Sequence, residues 1–495
     1  MQEQTGTVPQ GSTEDWKDKK RYLWLIGLVV PSLAIAAFLV YAALGWSWVL
    51  WMGPILILGI VPAIDLIAGL DRSNPPDDVI EALENDKYYR WITFAYLPLQ
   101  YAGFVLAIYV LSGGNPAQWL FDQLGASAWV GEHIAQGWVS PLHLSLVDKI
   151  GLAVSIGCVG GIGINTAHEL GHKKESHERW LSKIALAQSF YGHFYIEHNR
   201  GHHVRVATPE DPASSRIGES FYRFWPRTVL GSLKSAWNVE KKRYARKDTH
   251  PFHIGNDVIN AWLMSAVLFA GLISAFGVEI APYLVLQAVV GFTLLEVVNY
   301  LEHYGMLRQK TASGRYERVN PSHSWNSNNI ATNVLLYHLQ RHSDHHANPT
   351  RRYQTLRDFK ESPVLPTGYA GMILLALVPP VWRRVMDHRV YEHFDGDLRL
   401  ANIQPGKRDK VLATWPLPEP HVEEALEDAS AHTFTEEVLA ARCPGCDYVY
   451  DVATGDEHEG FAAGTAWADI PDSWCCPDCG VREKVDFVPV EKVDV

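Results

Sequence analysis

The sequence predicts a mainly α-helical membrane protein, a bundle of six transmembrane helices followed by a small C-terminal knuckle domain. Three observations predict it. Six apolar runs in about the first 300 residues are long enough to cross a bilayer, which takes about 20 residues. Nine histidines gather in four clusters after the fourth and sixth runs. Five of the six cysteines lie between Cys443 and Cys479.

The first apolar run follows a polar segment of 21 residues and is longer than the core of a cleaved signal peptide, so it predicts a retained helix. The transmembrane domain then covers residues 22–395. A further apolar stretch, Tyr369–Val381, is short and predicts a buried or interfacial helix. We expect the six spans near Tyr22–Gly45, Trp48–Leu70, Trp91–Leu111, Val147–Thr166, Asp257–Phe276 and Pro282–Leu301.

The distribution of Lys and Arg predicts the orientation of the spans. Residues 112–146 contain neither residue type, whereas residues 168–253 contain fifteen. Both termini and all nine clustered histidines are therefore expected on the cytoplasmic side of a bacterial inner membrane. Residues 112–146 predict a partly helical cap on the other side, with Trp119, Trp129 and Trp138 at headgroup level.

Asp65 is a carboxylate deep in the second predicted span. A charge inside the bilayer is costly, which makes this residue a functional candidate that faces a cavity or a histidine. The other interpretation is a position near enough to the end of the span to reach the interface. The sequence leaves both open.

Residues 396–439 are rich in Pro, Glu, Ala and Asp and predict a linker, partly helical over 423–439. A flexible linker of about 40 residues spans roughly 35 Å. The following domain, residues 440–490, is acidic, since residues 440–495 contain 12 Asp and Glu against 4 Lys and Arg. The basic residues are scattered among loops, so nothing predicts nucleic-acid binding.

Histidines four residues apart recur along the chain. His168 and His172 end the fourth span, and their spacing puts both imidazoles on one face of a helix. Nine imidazoles exceed the coordination number of one transition metal, and neutral imidazole suits iron, zinc, copper or nickel. The sequence therefore predicts a cytoplasmic histidine-rich region that binds two metal ions. The other clustered histidines are His198, His202, His203, His303, His342, His345 and His346.

Carboxylates stand near several of these histidines. Such neighbours commonly accept the second N–H of a ligating imidazole, although they also serve as direct ligands, and the sequence leaves both roles open. The isolated His177, His193 and His338 are expected to be hydrogen-bonded or exposed. The candidate carboxylates are Glu169, Glu197, Asp211, Glu302 and Asp344.

Cys443, Cys446, Cys476 and Cys479 form two CxxC knuckles, which can hold one metal ion tetrahedrally in a reducing compartment. Cys475 does not keep the CxxC spacing with Cys479, so we expect it to stand outside the site. Spacing alone also fits a zinc ribbon. An aromatic set around the knuckles argues against that: Tyr448, Tyr450, Trp474 and Phe487.

The motifs NTAHELGHK, EHNRGHH followed by ATPEDPASSR, NYLEHYG and LQRHSDHH resemble the signatures of the membrane-bound alkane 1-monooxygenases. That family belongs to the membrane di-iron class, which includes fatty-acid desaturases and xylene hydroxylases. The resemblance covers residues 22–391. CPGCDYVYD and PDSWCCPDCG resemble rubredoxin, with two departures: Asp447 replaces a common glycine, and Cys475 precedes the second knuckle.

The resemblance implies terminal hydroxylation of medium-chain n-alkanes to 1-alkanols with dioxygen. It implies two non-haem irons held by the nine catalytic histidines and one iron held by the four cysteines of the knuckles. The fused rubredoxin would deliver single electrons, its acidic surface steered to the basic cytoplasmic loops. An NAD(P)H-dependent flavin rubredoxin reductase is expected as a separate partner, since no dinucleotide fingerprint is present. Trp48 and Trp51 are candidates for limiting the alkane length, with an interfacial belt the favoured interpretation.

Two alternatives remain at this point. The same metal site would support a desaturase, an epoxidase or an aromatic-methyl hydroxylase. The HExxH pattern also fits an intramembrane zinc peptidase with Glu169 as general base, but that hypothesis leaves seven histidines and the C-terminal domain unexplained.

Overall fold

A computed structural model describes residues 16–134, 138–140, 142–419 and 438–490. All six predicted spans are confirmed, with differences at their ends. The third begins earlier, at Lys87, and the fourth continues to Gly171, because its polar end is buried in protein and needs no lipid contact. The helices long and apolar enough to cross a membrane are Leu23–Leu44, Ser47–Ala68, Lys87–Leu111, Leu146–Gly171, Asp257–Phe276 and Val278–Glu302.

The fourth span is the centre of the bundle and is largely buried by its neighbours. Its glycines allow the sixth span to approach closely. A Cβ atom on Gly161 would lie 2.8 Å from the carbonyl oxygen of Gly291, and one on Gly157 would lie 2.7 Å from that of Gln287. Small residues at such crossings let helix backbones pack directly in membranes.

The second span is irregular. It runs as a 3₁₀ segment Ser47–Trp51, an α turn Met52–Ile55, a π segment Leu56–Ile60 and an α-helix Val61–Ala68. Pro62 follows the π segment, and a proline ring displaces the carbonyl four residues before it, which explains a break at this position.

Asp65, in that last α-helix, is buried. It accepts hydrogen bonds from the backbone N–H of Thr332, at 3.0 Å, and from the Thr332 hydroxyl. These bonds anchor the first turn of the helix Ile330–Leu335 to the second span. Asp65 therefore faces protein and has a polar partner that is not a histidine.

The segment after the third span contains two helices, Pro116–Gln123 and Ser127–His133, which confirms its predicted partly helical character. Trp119 and Trp129 are exposed, as expected for headgroup contacts. Trp138 instead packs edge to face against Phe121, with ring centroids 6.3 Å apart.

The opposite end of the bundle carries the remaining helices. The short stretch predicted after the sixth span is confirmed as a buried helix, Tyr369–Ala376, ending before a second helix that begins at Pro379. The α-helices are Ile80–Asn85, Ser176–Ala187, Phe194–Glu197, His203–Arg205, Phe221–Arg246, Ile330–Leu335, His342–Ala347, Tyr369–Ala376, Pro379–His393 and Arg408–Leu412, with a π segment at His198–His202. Isolated 3₁₀ turns lie at Asp77–Val79, Pro321–His323, Tyr353–Thr355, Leu398–Leu400, Trp467–Asp469 and Lys484–Asp486.

The start of the predicted linker differs from the expectation. Leu398 and Ala401 are buried, and Ile217 exchanges backbone hydrogen bonds with Asn402, at 2.8 Å, and Gln404, at 3.0 Å. Scattered apolar residues without periodicity gave no sign of this packing. Residues 423–437 of the expected helix over 423–439 lie outside the described residues.

The C-terminal domain is a three-stranded antiparallel sheet, with β1 at Ala440–Arg442, β2 at Val449–Asp451 and β3 at Val488–Pro489 in the order β2-β1-β3. Ala441 pairs with Tyr450, and Arg442 pairs with Val488. The small core is aromatic. It is built from Tyr450, Phe461, Trp467, Trp474 and Phe487.

Candidate metal centres

The nine clustered histidines form two groups at the end of the bundle opposite the cap. Within each group the ligand atoms all lie within 4.8 Å of one another, and every member is buried. The first group contains His168, His172, His198, His203 and His345. The second contains His202, His303, His342 and His346.

The π segment His198–His202 determines which group each histidine of the cluster His198, His202 and His203 joins. A π turn bonds residue i to residue i+5, so His198 and His203 share a face, with their Nε2 atoms 3.0 Å apart. His202 then points to the second group. Sequence spacing pairs His198 with His202 through an α turn, and the local π geometry replaces that pairing.

The last cluster is divided in the same way by an ordinary α-helix, His342–Ala347. His342 and His346, one turn apart, enter the second group, with Nε2 atoms at 2.9 Å. His345 points to the other side and lies 2.8 Å from His168 Nε2. Adjacent residues of one short helix thus serve both groups.

The chemistry of these nitrogens fits metal ions. Five Nε2–Nε2 pairs lie between 2.8 and 3.3 Å. A neutral imidazole has a single N–H to donate. The ring nitrogens that converge in each group therefore cannot all form hydrogen bonds with one another. The Nε2 atoms of His172 and His202 are buried and have no hydrogen-bond partner among the residues that the structure describes. A cation at the centre of each group would satisfy them.

Burial also prepares the imidazoles for ligation. It lowers the pKa of His172, His198 and His345 well below 6.5, and repulsion between neighbouring imidazoles lowers it further. The neutral imidazole is the form that binds metal.

Two of the five candidate carboxylates contact the histidines. Asp211 Oδ2 lies 2.9 Å from His202 Nδ1, and Glu302 Oε2 lies 3.2 Å from His342 Nε2. Burial alone would raise the pKa of Asp211, but His202 and the Ser214 hydroxyl hold it well below its usual range. Asp211 is therefore set to orient an imidazole, and Glu302 is close enough to the second group to join it.

The other three carboxylates bind cations instead of imidazoles. Glu169 pairs with Lys173 at 2.9 Å, Glu197 with Arg205 at 3.0 Å, and Asp344 with Arg351 at 2.8 Å. Each is next to a histidine in sequence, and adjacent side chains of a helix point in different directions. This geometry explains why nearness in sequence did not identify the partners.

The isolated histidines differ from one another. His177 is exposed, and His338 is hydrogen-bonded by Nδ1 to the Tyr353 carbonyl at 2.9 Å, as expected. The prediction for His193 is wrong, because it is buried and neither ring nitrogen has a hydrogen-bond partner among the described residues. It packs instead against the Tyr191 ring, with centroids 4.3 Å apart.

A narrow cavity of about 70 Å³ reaches both histidine groups. One end is formed by His168, His198, His342 and Glu302. The rest is apolar and lies between the second, fourth and sixth spans and the helix Tyr369–Ala376. Its apolar lining includes Ile57, Val61, Ile162, Leu294, Val298 and Ile373. Neither Trp48 nor Trp51 belongs to this lining; Trp48 is half exposed and stacks on Trp46.

The four-cysteine group is formed by Cys443, Cys446, Cys476 and Cys479, all buried. The Sγ atoms of Cys443 and Cys479 are 3.7 Å apart, and those of Cys446 and Cys476 are 3.5 Å apart. The arrangement is that of a tetrahedral thiolate site. Cys475 lies outside the group, with its Sγ directed to the Ser473 carbonyl.

The C-terminal domain contacts the histidine end of the helical bundle. Glu459 is bound by Arg200 and, at 3.1 Å, by Arg246, while Lys174 donates to the carbonyl of Cys446 at 2.5 Å. Burial opposes the charge of Glu459, but Arg200 and His458 keep its pKa well below the usual range. Composition predicts only that the two surfaces carry opposite charge, because the individual ion pairs depend on the docked geometry.

Comparison with known proteins identifies both parts of the chain. Residues 149–376 match the fatty acid desaturase family model, and residues 440–487 match the rubredoxin model. The alkane 1-monooxygenase of Acinetobacter baylyi is 46% identical over 82% of this chain and 93% of its own length. The corresponding enzyme of Pseudomonas putida is 41% identical over 81% of this chain and 93% of its own length.

A more distant relative is the hydroxylase component of xylene/toluene monooxygenase from Pseudomonas putida, 28% identical over 54% of this chain and 71% of its own length. The identity to the alkane enzymes is higher and extends over most of both chains. Because those relatives align across the transmembrane spans as well as the histidine motifs, the chain belongs to the alkane 1-monooxygenase family and carries a rubredoxin domain after its helical bundle.

Proposed function

We propose that this protein hydroxylates the terminal methyl group of medium-chain n-alkanes to give 1-alkanols, with electrons from its own rubredoxin domain. The observation that carries the proposal is the cavity: it is apolar between the spans and ends at both histidine groups. An alkane dissolved in the bilayer would enter such a space without exposing apolar surface to water.

The nine histidines would hold two irons, five ligands on one side and four on the other, and the four cysteines would hold a third iron. When bound, the two irons supply the activation of dioxygen, with one oxygen atom passing to the substrate and the other to water. Asp211 fixes the orientation of His202 through Nδ1. Glu302, which lines the cavity beside His342, is placed to bind metal or hold a proton there.

The cavity walls position the substrate. Branched residues of three spans, such as Ile57, Ile162 and Val298, would surround the hydrocarbon chain of the substrate and exclude water. The polar end of the cavity is confined to the histidine side. The two ends of an n-alkane are equivalent, so an alkane lying along the cavity presents a methyl group to the metal end in either orientation. Exclusion of water protects the reactive site from side reactions.

Electron supply follows from the docked rubredoxin domain. Its knuckle face lies against the segment 174–200, and a Cβ atom on Gly480 would be 3.7 Å from His203 Cβ. The four-cysteine site accepts one electron at a time, so each hydroxylation takes two transfers. We propose a separate NAD(P)H-dependent flavin reductase as the source.

We further propose that the protein lies in a bacterial inner membrane with both termini, the histidine groups and rubredoxin in the cytoplasm. The support is the asymmetry of Lys and Arg between residues 112–146 and 168–253. The hydroxylase domain would extend to about residue 412, and the connection to rubredoxin would be confined to residues 413–439. A membrane-impermeant thiol reagent should label Ala128→Cys in intact cells but not Lys241→Cys, and the reverse labelling would contradict this orientation.

The function is tested with the full-length protein in lipid vesicles, supplied with octane, NADH, a flavin rubredoxin reductase and ¹⁸O₂. We expect 1-octanol carrying one ¹⁸O atom. An alkene product would indicate a desaturase, and alcohol oxygen derived from water would contradict the proposed reaction. Substituting toluene or 1-octene for octane separates alkane hydroxylation from aromatic-methyl hydroxylation and epoxidation by the relative rates.

A further inference from the structure

The knuckle face of the rubredoxin domain is held against the helical bundle by direct backbone contacts. Lys174 Nζ donates to the carbonyl oxygen of Cys446 at 2.5 Å. On the other knuckle, a Cβ atom on Gly480 would lie 2.1 Å from the Asn199 carbonyl oxygen, so only a glycine permits this approach. Both cysteine loops therefore face the bundle.

Arginines of the bundle form ion pairs around this contact, each with a carboxylate of the rubredoxin domain. These pairs are Arg179–Asp478, Arg200–Glu459, Arg246–Glu459, Arg315–Glu483 and Arg318–Asp486. Lys174 differs from them, because it forms no ion pair with any residue in the described ranges and binds a carbonyl of the knuckle instead. Among the described residues no carboxylate is in direct contact with its ammonium group, because the nearby Asp478 pairs with Arg179 and attracts Lys174 only at longer range.

We propose that Lys174 makes docking of the rubredoxin domain depend on its redox state. The inference rests on the proposed function, in which the four cysteines hold an iron. Adding one electron to that site adds one negative charge close to the Lys174 ammonium group, and the attraction between them increases. The reduced domain then docks more tightly than the oxidised domain.

The same coupling works in both directions, because linkage is reciprocal: docking favours the reduced form by the factor by which reduction favours docking. The undocked domain takes one electron from the flavin reductase. It docks, passes that electron to the histidine-bound metal site and becomes oxidised. Loss of the negative charge weakens docking and releases the knuckle face, which the docked state covers, for the second electron.

The experiment is a spectroscopic redox titration of the full-length protein, following the visible absorption of the four-cysteine site. We expect Lys174→Gln to lower the reduction potential at low ionic strength. For one charge near the protein surface we expect the docking equilibrium constants of the reduced and oxidised domains to differ on the order of tenfold. For a one-electron couple this ratio corresponds to a shift of about 59 mV in the reduction potential. High salt should remove most of the difference between the two proteins.

Two further variants isolate the effect of the charge at this position. Lys174→Arg keeps the cation and should retain the wild-type potential. Lys241→Gln removes an exposed cation on the helix Phe221–Arg246 that forms no ion pair in the described part of the chain, and it should leave the potential unchanged. Equal potentials for wild type and Lys174→Gln at low salt would overturn the proposal.

Hydrogen exchange gives a second measurement. Peptides containing Lys174 or Asn199 should be more protected in the reduced than in the oxidised wild-type protein, and this redox difference should shrink in Lys174→Gln but not in Lys241→Gln. An undiminished difference in Lys174→Gln would contradict the role of this residue. Failure of the premise taken from the proposed function, that the four cysteines hold an iron, would look different, since no one-electron transition of the four-cysteine site would then be seen in any of the proteins.

Discussion

The two kinds of metal site in this protein are built from the chain in opposite ways. The histidine groups join distant segments: His168 and His345, whose Nε2 atoms lie 2.8 Å apart, are 177 residues apart in sequence. The cysteine site joins two short loops, with Cys443 and Cys479 only 36 residues apart. One site depends on the packing of the whole bundle, and the other on two local turns.

Because of this difference, sequence spacing predicts the cysteine site more completely than the histidine groups. A CxxC knuckle contains its own geometry, so spacing alone selects the four cysteines and leaves Cys475 out. The histidine clusters in the sequence predict only that metal ions are bound. Their division into groups of five and four depends on a π segment and on the direction of a six-residue helix, which are set by tertiary packing.

Removal of one histidine should have the largest effect. We expect His203→Ala to lower octane hydroxylation by about 100-fold or more and to reduce the iron content of the membrane domain, because the five-membered group loses a ligand. His193→Ala is the matched control, since it removes a buried histidine that belongs to neither group. Equal iron loss in the two variants would contradict the assignment of the groups.

The carboxylates give the next largest effect. Asp211→Asn should lower activity or iron affinity about 10- to 100-fold, since Asp211 orients His202. Asp344→Asn should lower thermal stability and leave the iron content unchanged, because Asp344 binds Arg351 and no clustered histidine. Iron analysis and thermal unfolding of both variants check the distinction, and the opposite pattern would show that the roles are reversed.

The sequence predicted the six spans and the C-terminal domain well, because hydropathy and cysteine spacing report local properties. It could not rank the five candidate carboxylates. Asp211, nine residues after its partner, contacts His202, whereas Glu169 and Glu197, next to clustered histidines, bind Lys173 and Arg205. Hydrogen bonds of this kind depend on side-chain direction in the folded bundle.

The interdomain contact and the start of the linker were hidden for the same reason. Leu398 and Ala401 are single apolar residues in a polar stretch, and their burial follows from the backbone pairing of Ile217. The opposite charges of the two surfaces were visible in the composition. The pairing of Arg200 with Glu459 was not, because it needs the docked orientation.

Docking of rubredoxin should depend on pH through His458, with a smaller effect. His458 lies 3.7 Å from Asp257 and 3.2 Å from Glu459, while Arg243 faces its backbone carbonyl at 3.2 Å. Hydrogen bonds to Asp257 and then Glu459 raise the pKa of His458. Its contribution to docking is therefore fully present below pH 6.5 and is lost as the pH rises through the raised pKa.

We expect electron transfer from pre-reduced rubredoxin to be a few-fold faster at pH 6 than at pH 8, as measured by stopped-flow absorption. The effect is modest because the imidazole is half exposed and solvent screens its charge. His458→Asn serves as the control and should lose this pH dependence. An unchanged dependence in that variant would assign it to another group.

The smallest effect is expected for Cys475→Ser. Cys475 lies outside the four-cysteine group, and a backbone carbonyl is the only hydrogen-bond partner of its Sγ in the described part of the chain. The visible spectrum, iron content and activity should match the wild type. A changed spectrum would show that Cys475 exchanges with Cys476 as a ligand and that the local knuckle geometry is less exclusive than the structure indicates.

The most direct test of the account is the iron and zinc content of the purified full-length protein beside a Cys446→Ser, Cys476→Ser double variant. Two irons held by histidines and one held by cysteines predict three irons per chain, falling to two in the variant, with no zinc. A single zinc per chain, or loss of all iron in the double variant, would contradict the di-iron site and the division of the protein into hydroxylase and electron donor.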